Sequence, residues 1–541
     1  MGGGVRVAVG LEITLALLAK TENDAAVRVL LPALDSPTPA IQQGALVSLL
    51  CRRNPAGGRE ILDRLPRMKP EWKSILMQHR GRLTRPLRDA LLGTDARLCE
   101  NACNATVLFR EYDLIPTLLM VVEGPVKASA DMAARTVMQL VECLYDQLAG
   151  GSETLDRRDP QLIRRYVISS LEQSVARFSH HRRPEVIEGL LLLVNRDNIT
   201  LKQILHDASH AAYPAVMDSL VKSSRRGVIR LVLSFLDDPH PAAAAERVLS
   251  IRGDIRYLHY LLKKIGREPS MAVAQNLKRI ETFAWLNGDG PALDQIDDAC
   301  QHALVRLVVV SGVPRPQVLE LLRRILRHGK PGGRREAARA ICEFRGAEAN
   351  SLAIAALDDP DPQVQANIAL QLRGRGIPGI LPRLLELIES RYDVVRRAAR
   401  ESLAEFNFKR YVTAFDILDD EVRRSTGVLV RKIDPQTPAL LREELTSPIR
   451  SRRLRGLTIA LTIGLVEAVE DRIIALLEDE DHIVRIEAAK ALGQSSGAAS
   501  RTALEVSLGD SSEAVRQAAH RSLLEITARP CPPSPPVSAK P

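Results

Sequence analysis

Between Leu357 and Ile526 one pattern of apolar and polar positions recurs. Val364, Ile368 and Leu372 are followed by Val395, Ala399 and Leu403, then by Val484, Ala488 and Leu492, then by Val515, Ala519 and Leu523. Each phrase sets a β-branched residue eight positions before a leucine, and three of the four place alanine halfway. Offsets of four and eight put all three residues on one stripe of a helix. Val364 to Val395 is 31 residues, Val484 to Val515 is 31, and Val395 to Val484 is 89, about three such periods. A period of this length predicts an all-α solenoid of stacked helical hairpins.

The same phrase stands early in the chain, where Leu34-Asp-Ser-Pro-Thr-Pro-Ala-Ile41 leads to Ala45 and Leu49. The apolar spacing predicts helices over Asp24–Leu34, Leu87–Leu92, Leu98–Phe109, Ile115–Val122 and Val126–Leu148. From about residue 315 the first helices of the hairpins read Val318–Leu326, Ile380–Ile388, Leu440–Leu445, Val469–Leu477 and Leu504–Leu508. Leu236-Asp-Asp-Pro-His-Pro241 and Leu357-Asp-Asp-Pro-Asp-Pro362 spell one turn twice, with Asp suited to a helix cap and Pro to the first helical position. Breaks fall at Ala149–Pro160 and Asn287–Pro291, and Gly374–Gly379 reads as an inter-helix turn. The expected organisation is an N-terminal helical segment at 1–149, divergent helical repeats at 150–314 and regular repeats at 315–528. A proline-rich tail at 529–541 cannot be helical and is expected to be disordered.

Composition narrows the functional classes. In a repeat array of 541 residues each unit needs burial only against its neighbours, so length does not count domains. Aromatics make up 3%, which leaves few platforms for stacking bases. Lysine and arginine total 75 against 66 acidic residues, a net charge of +9. That excess permits an acidic partner without requiring one. Seven scattered cysteines, with no Cys-x-x-Cys pair, read as reduced thiols of a cytoplasmic protein. Cys99 and Cys103, four apart, suit a helix core. No signal peptide and no apolar run of about 18 residues is visible, so no membrane insertion is expected.

The repeated phrases resemble HEAT repeats, specifically the short bacterial kind named after phycobilisome lyases. That pattern has an Asp at the turn and a basic residue six positions later on the second helix. Asp479 with Arg485 and Asp510 with Arg516 fit it. Asp359 is followed by Gln365, which keeps hydrogen bonding without charge, and Ser390 precedes Arg396 without an acid. The resemblance implies that such pairs form ladders between adjacent repeats. It covers about 315–527 and again 24–51, with looser spelling between, and it specifies fold rather than function.

No chemical constellation points to a reaction. His206-Asp-Ala-Ser-His210 puts two histidines at a helical i,i+4 offset, the spacing of a zinc pair, but lacks the usual glutamate and a third ligand. Nucleophile-elbow, P-loop and dinucleotide motifs are absent, and Asp358-Asp359 and Asp419-Asp420 sit at turns where helix capping accounts for them. No cofactor and no metal is expected. Arginines cluster at His180–Arg183, at Arg323–His328 with Lys330, Arg334 and Arg335, at Arg396, Arg397 and Arg400, and at Arg450–Arg455. Arg334, Arg335, Arg397, Arg400, Arg452 and Arg453 are the candidate partner-binding residues, set against the reading of solvated helix faces. The expected function is a non-catalytic scaffold whose second helices build a concave surface for a protein partner of acidic character. A nucleic-acid binder using the arginine clusters, as some DNA glycosylases use a HEAT-like fold, is one alternative. A bilin-lyase-like or chaperone-like protein is another, motivated by the family name alone.

Overall fold

The computed structural model describes residues 5–150, 158–286 and 293–528. Most of the loop expected at 149–160, the break at 287–291 and the proline-rich tail lie outside them. The described residues form α- and 3-10 helices and contain no strand. The fold is the all-α helical solenoid the pattern predicts. No helix among them is long and apolar enough to cross a membrane. The chain divides into two compact units, Met1–Gly333 and Arg334–Pro541.

In the first unit several helices match their periodicity closely. They run Ala25–Ala33, Ala96–Phe109, Ile115–Val122 and Lys127–Leu148. The last packs on its two predecessors and on Pro184–Leu193. The early phrase lies on the helix Pro39–Arg52, with Ala45 and Leu49 buried and Ile41 half-buried. Cys99 and Cys103 are buried in the helix Ala96–Phe109. Arginine has a recurring task here. The last carbonyls of a helix have no intrahelical partner, and a guanidinium offers five donors in a fixed fork. Arg52 donates to the carbonyls of Leu18 at 2.8 Å and Asn23 at 3.0 Å. Arg164 donates to that of Leu193 at 2.6 and 2.8 Å. Arg252, 1% exposed, donates to Leu220 O at 2.7 Å and pairs with Asp254 at 2.8 Å.

The second unit contains six successive hairpins. In chain order they are Ala347–Ala355 with Pro362–Leu372, Ile380–Ile388 with Asp393–Ser402, and Phe408–Ala414 with Asp420–Ile433. Then follow Thr437–Leu445 with Arg450–Ile463, Glu470–Ala475 with His482–Leu492, and Ala498–Ser507 with Glu513–Ala528. The phrase residues form the core: Val364, Ile368, Leu372, Val395, Ala399, Leu403, Val484, Ala488, Leu492, Val515 and Ala519 are all fully buried. Asp361 and Asp481 cap their helices, accepting from the amides of Gln363 and Ile483.

One side-chain position ties these hairpins together. In each second helix a donor reaches back to a carbonyl of its own turn. Gln365 reaches Asp359 O at 2.7 Å, Arg396 reaches Ser390 O at 2.9 Å, and Arg423 reaches Phe415 O at 2.6 Å. Arg453 reaches Ser447 O at 3.1 Å, Arg485 reaches Asp479 O at 2.8 Å, and Arg516 reaches Asp510 O at 2.8 Å. Where the following turn carries Asp, an arginine of this series also reaches forward. Arg485 donates to both oxygens of Asp510, at 2.9 and 3.1 Å. Arg453 holds Asp479 at 2.8 Å, and Arg334, on the helix before the first hairpin, holds Asp359 at 2.8 and 3.1 Å. The carboxylates are fixed from behind as well, since Asp359, Asp479 and Asp510 each accept the amide two residues on, at 2.8, 3.0 and 2.7 Å. Of the turn carboxylates expected to be caps, Asp359 holds the ladder, Asp358 pairs with Arg383 and Asp420 with Arg423, while Asp419 stands at the cap position of its helix without a side-chain bond.

Removing one member of a buried, hydrogen-bonded ion pair leaves the other charge uncompensated. The Arg453 and Asp479 side chains are 10% and 7% exposed, so Asp479→Ala should destabilise the flanking hairpins by about 3 kcal/mol. Arg397→Ala, an exposed control, should stay within about 0.5 kcal/mol of wild type in the same denaturation series. The Arg485 hydrogen bonds hold the Asp510 carboxyl below its ordinary range. A depressed acid stabilises above its unfolded pKa of about 3.9 and loses that contribution as pH falls through its folded value. The stability gap between wild type and Asp510→Asn should therefore close on acidification below about pH 4, as read from urea midpoints across pH.

Candidate partner-binding surface

The structure sorts the six arginines expected to bind a partner. Arg334 and Arg453 are turned into the ladder, at 16% and 10% side-chain exposure, instead of facing a partner. The place of Arg453 in the ladder was not legible in the sequence, for a clear reason. Its turn is spelled Ser447 rather than Asp, and the β-branched marker before it is replaced by Arg452. Register supplies the rest of the explanation, since successive ladder residues 396, 423, 453, 485 and 516 are 27, 30, 32 and 31 apart. Arg452 pairs with Glu444, whose carboxyl Arg452 and Arg455 hold below its usual range against the effect of burial. Arg335 donates to Asp361 at 2.6 Å.

Arg397 and Arg400 remain, three residues apart on Asp393–Ser402. Arg397 is 75% exposed and meets Asp393, 66% exposed, at 2.9 Å. A pair this open contributes little and exchanges readily with another carboxylate. Arg400 is half-buried, and its Nε is buried without a hydrogen-bond partner among the described residues. By register it stands where Ala369 and Ala489 stand in the first and fifth hairpins, both fully buried. The neighbour is what differs. Second helices pack in consecutive pairs from the first hairpin to the second and again from the third to the sixth. The second helices of the second and third hairpins pack less extensively than these pairs, although Lys432 reaches Glu389 at 2.5 Å. An apolar cluster runs from Phe408 to Ala519 on the far side of this junction. Arg400 thus lies at the step where the second helices pack least extensively.

The remaining sequence signals fall differently. His206 and His210 do not share a helix, because Ile199–His206 ends at the first of them. Asp207 then turns the chain by accepting from the amide and hydroxyl of Ser209, at 2.9 and 2.6 Å. The pair offers no helical ligand face. The turn at 374–379 is confirmed by Gly376 and Gly379, at φ of +64° and +72°. A group that sequence reasoning missed is His259, Asp297 and Cys300, whose ligand atoms lie within 4.8 Å of one another. Only Asp297-x-x-Cys300, a helix cap followed by its third residue, hinted at it; the histidine lies 38 positions upstream of the aspartate.

The HEAT repeat family model matches residues 301–404 and 439–526. Those two stretches carry HEAT repeats. The unmatched interval, 405–438, contains the third hairpin, where register slips and packing on the preceding second helix is less extensive. No curated protein matches the sequence. Among solved structures the chain is similar to one from a study of a phosphorylation switch controlling the interaction between cadherin and β-catenin. Identity there is 12%, over 92% of this chain and 98% of that one, with a TM-score of 0.32. It is similar to Kap121p bound to Pho4p at 14% identity, over 97% of this chain and 54% of that one, with a TM-score of 0.24. Human deoxyhypusine hydroxylase in complex with glycerol gives 18% identity, over 56% and 96%, and a TM-score of 0.17. Likenesses at these TM-scores say nothing about the function of this chain.

An arginine with a desolvated, unanswered N–H is a liability to the free protein. Arg400→Leu should therefore leave thermal stability unchanged or raise it by up to about 1 kcal/mol. A loss above that size in a thermal melt would mean that the guanidinium is satisfied within the fold.

Proposed function

We propose that the chain is a non-catalytic HEAT-repeat scaffold in the cytoplasm that takes an acidic protein segment at the step between the second and third hairpins. The supporting observation is Arg400, half-buried with an unpartnered Nε, beside the exposed Arg397. A carboxylate reaching this step would find one guanidinium whose Nε is already desolvated and a second released from a weak surface pair. Arg335 and Arg452 would border the surface, each already answered by an acid of its own repeat array. Affinity would come from several such contacts along the hairpins rather than from one pocket.

The arginine inventory favours protein over nucleic acid as partner. Many arginines answer carbonyls and carboxylates within their own unit, and aromatics make up 3% of the chain. The short bacterial repeat type remains a reading of the Asp and Arg pairs six residues apart; no residue supports bilin attachment.

Fluorescence anisotropy with a labelled poly-glutamate peptide and, separately, a single-stranded DNA of equal charge would test this. Arg397→Glu combined with Arg400→Leu should weaken peptide binding at least tenfold without lowering the circular-dichroism melt. Unchanged peptide affinity in that variant would refute the surface. Tighter DNA than peptide binding, with a steep salt slope, would favour the nucleic-acid alternative.

A further inference from the structure

The geometry points to a zinc-type metal site in the first unit, formed by His259, Asp297 and Cys300, with its fourth position open to a cleft. His259 lies on the helix Ile255–Ile265, which packs against the helix Asp298–Val310. Asp297 caps that second helix, and Cys300 is its third residue. His259 Nδ1 stands 3.7 Å from Cys300 Sγ and 3.9 Å from Asp297 Oδ2. The second distance is too long for a hydrogen bond. A tetrahedral zinc ion, with bonds of about 2.0–2.3 Å, sets its ligand atoms roughly 3.4–3.6 Å apart. The observed spacing is therefore close to what a shared cation would impose, and small side-chain rotations complete it.

The ligand set is chemically coherent. Imidazole nitrogen, thiolate sulfur and carboxylate oxygen are the three donor types zinc takes from proteins. Asp297 divides its two oxygens between tasks. Oδ1 accepts the Cys300 amide at 2.7 Å and orients the group, while Oδ2 is the atom nearest His259. Cys300 is buried, whereas the His259 and Asp297 side chains are 43% and 54% exposed, so an ion has a route in. Beside them lies a cleft of about 340 Å³ that includes Arg256, Tyr260 and Lys263 in its lining, with room for a water on the metal. Arg256 and Lys263 are cationic, so binding requires both anionic ligands. The ion displaces the Cys300 thiol proton to solvent, and thiolate plus carboxylate then balance its two charges.

The site is independent of the partner surface and is tested on the full chain. Metal-free protein is titrated with cobalt(II), whose tetrahedral complexes absorb in the visible and whose thiolate complexes add a sulfur-to-metal band. One equivalent should bind with both signatures. Cys300→Ser should abolish the sulfur band. Asp297→Asn keeps a competent helix cap and should weaken binding at least tenfold with an unchanged melt. In wild type, zinc should protect Cys300 from alkylation, mapped by peptide mass spectrometry, while exposed Cys51 and Cys342 react as before. The inference is overturned by any of three results: no saturable binding, a sulfur band that survives Cys300→Ser, or Cys300 alkylation indifferent to zinc.

Discussion

One guanidinium bridging two turns is the contact on which the second unit depends. Arg485 shows it whole: one Nη meets Asp479 O of its own turn, while Nε and the other Nη meet the Asp510 carboxylate of the next. Apolar burial gives a helical hairpin a reason to lie on its neighbour, but burial is non-directional and tolerates sliding. The fork geometry of arginine does not tolerate it, because backbone carbonyl and carboxylate must both lie within hydrogen-bond reach. The ladder thus fixes the register that the Val, Ala and Leu stripe leaves loose. Its cost is desolvation of both charges, offset by Asp510 also accepting the Ser512 amide.

The same economy explains why a chain with a net charge of +9 does not present a uniformly basic face. In the first unit Arg52, Arg164 and Arg252 answer carbonyls at helix ends. In the second, Arg375 plays that role at 9% exposure, donating to Phe344 O and Asn350. A cluster of arginines in sequence is then a poor guide to a binding surface. What matters is which guanidinium the fold leaves unanswered: among the six expected from sequence Arg400 and Arg453 each bury an Nε outside hydrogen-bond geometry, but Arg453 Nε lies 2.8 Å from the Asp479 carboxylate, whereas Arg400 Nε faces no such acid among the described residues.

The legible part of this fold was the part with local spelling. Ile115–Val122 and Ile380–Ile388 are read to the residue because apolar spacing and flanking breaks coincide with helix ends. The third hairpin and the second helix of the fourth were hidden because their markers changed: Val422 stands where Val395 does yet is 42% exposed, and Arg452 fills the other marker position. Gly427 replaces a side chain there, since a Cβ would lie 2.5 Å from Ile463 and 2.7 Å from the Tyr411 hydroxyl. Close approach, rather than a repeated phrase, holds that hairpin. The His259, Asp297 and Cys300 group was illegible for a different reason. Its proximity comes from packing of two helices about forty residues apart, which no local pattern encodes.

Hydrogen exchange on Arg485→Met tests the bridging role most directly, because methionine keeps apolar volume while deleting both contacts. The account predicts faster exchange in two places at once, the fifth hairpin and the turn and second helix of the sixth, with 362–372 unchanged. Faster exchange confined to the residues beside 485, or none, would contradict it and leave apolar stacking as the sole source of register.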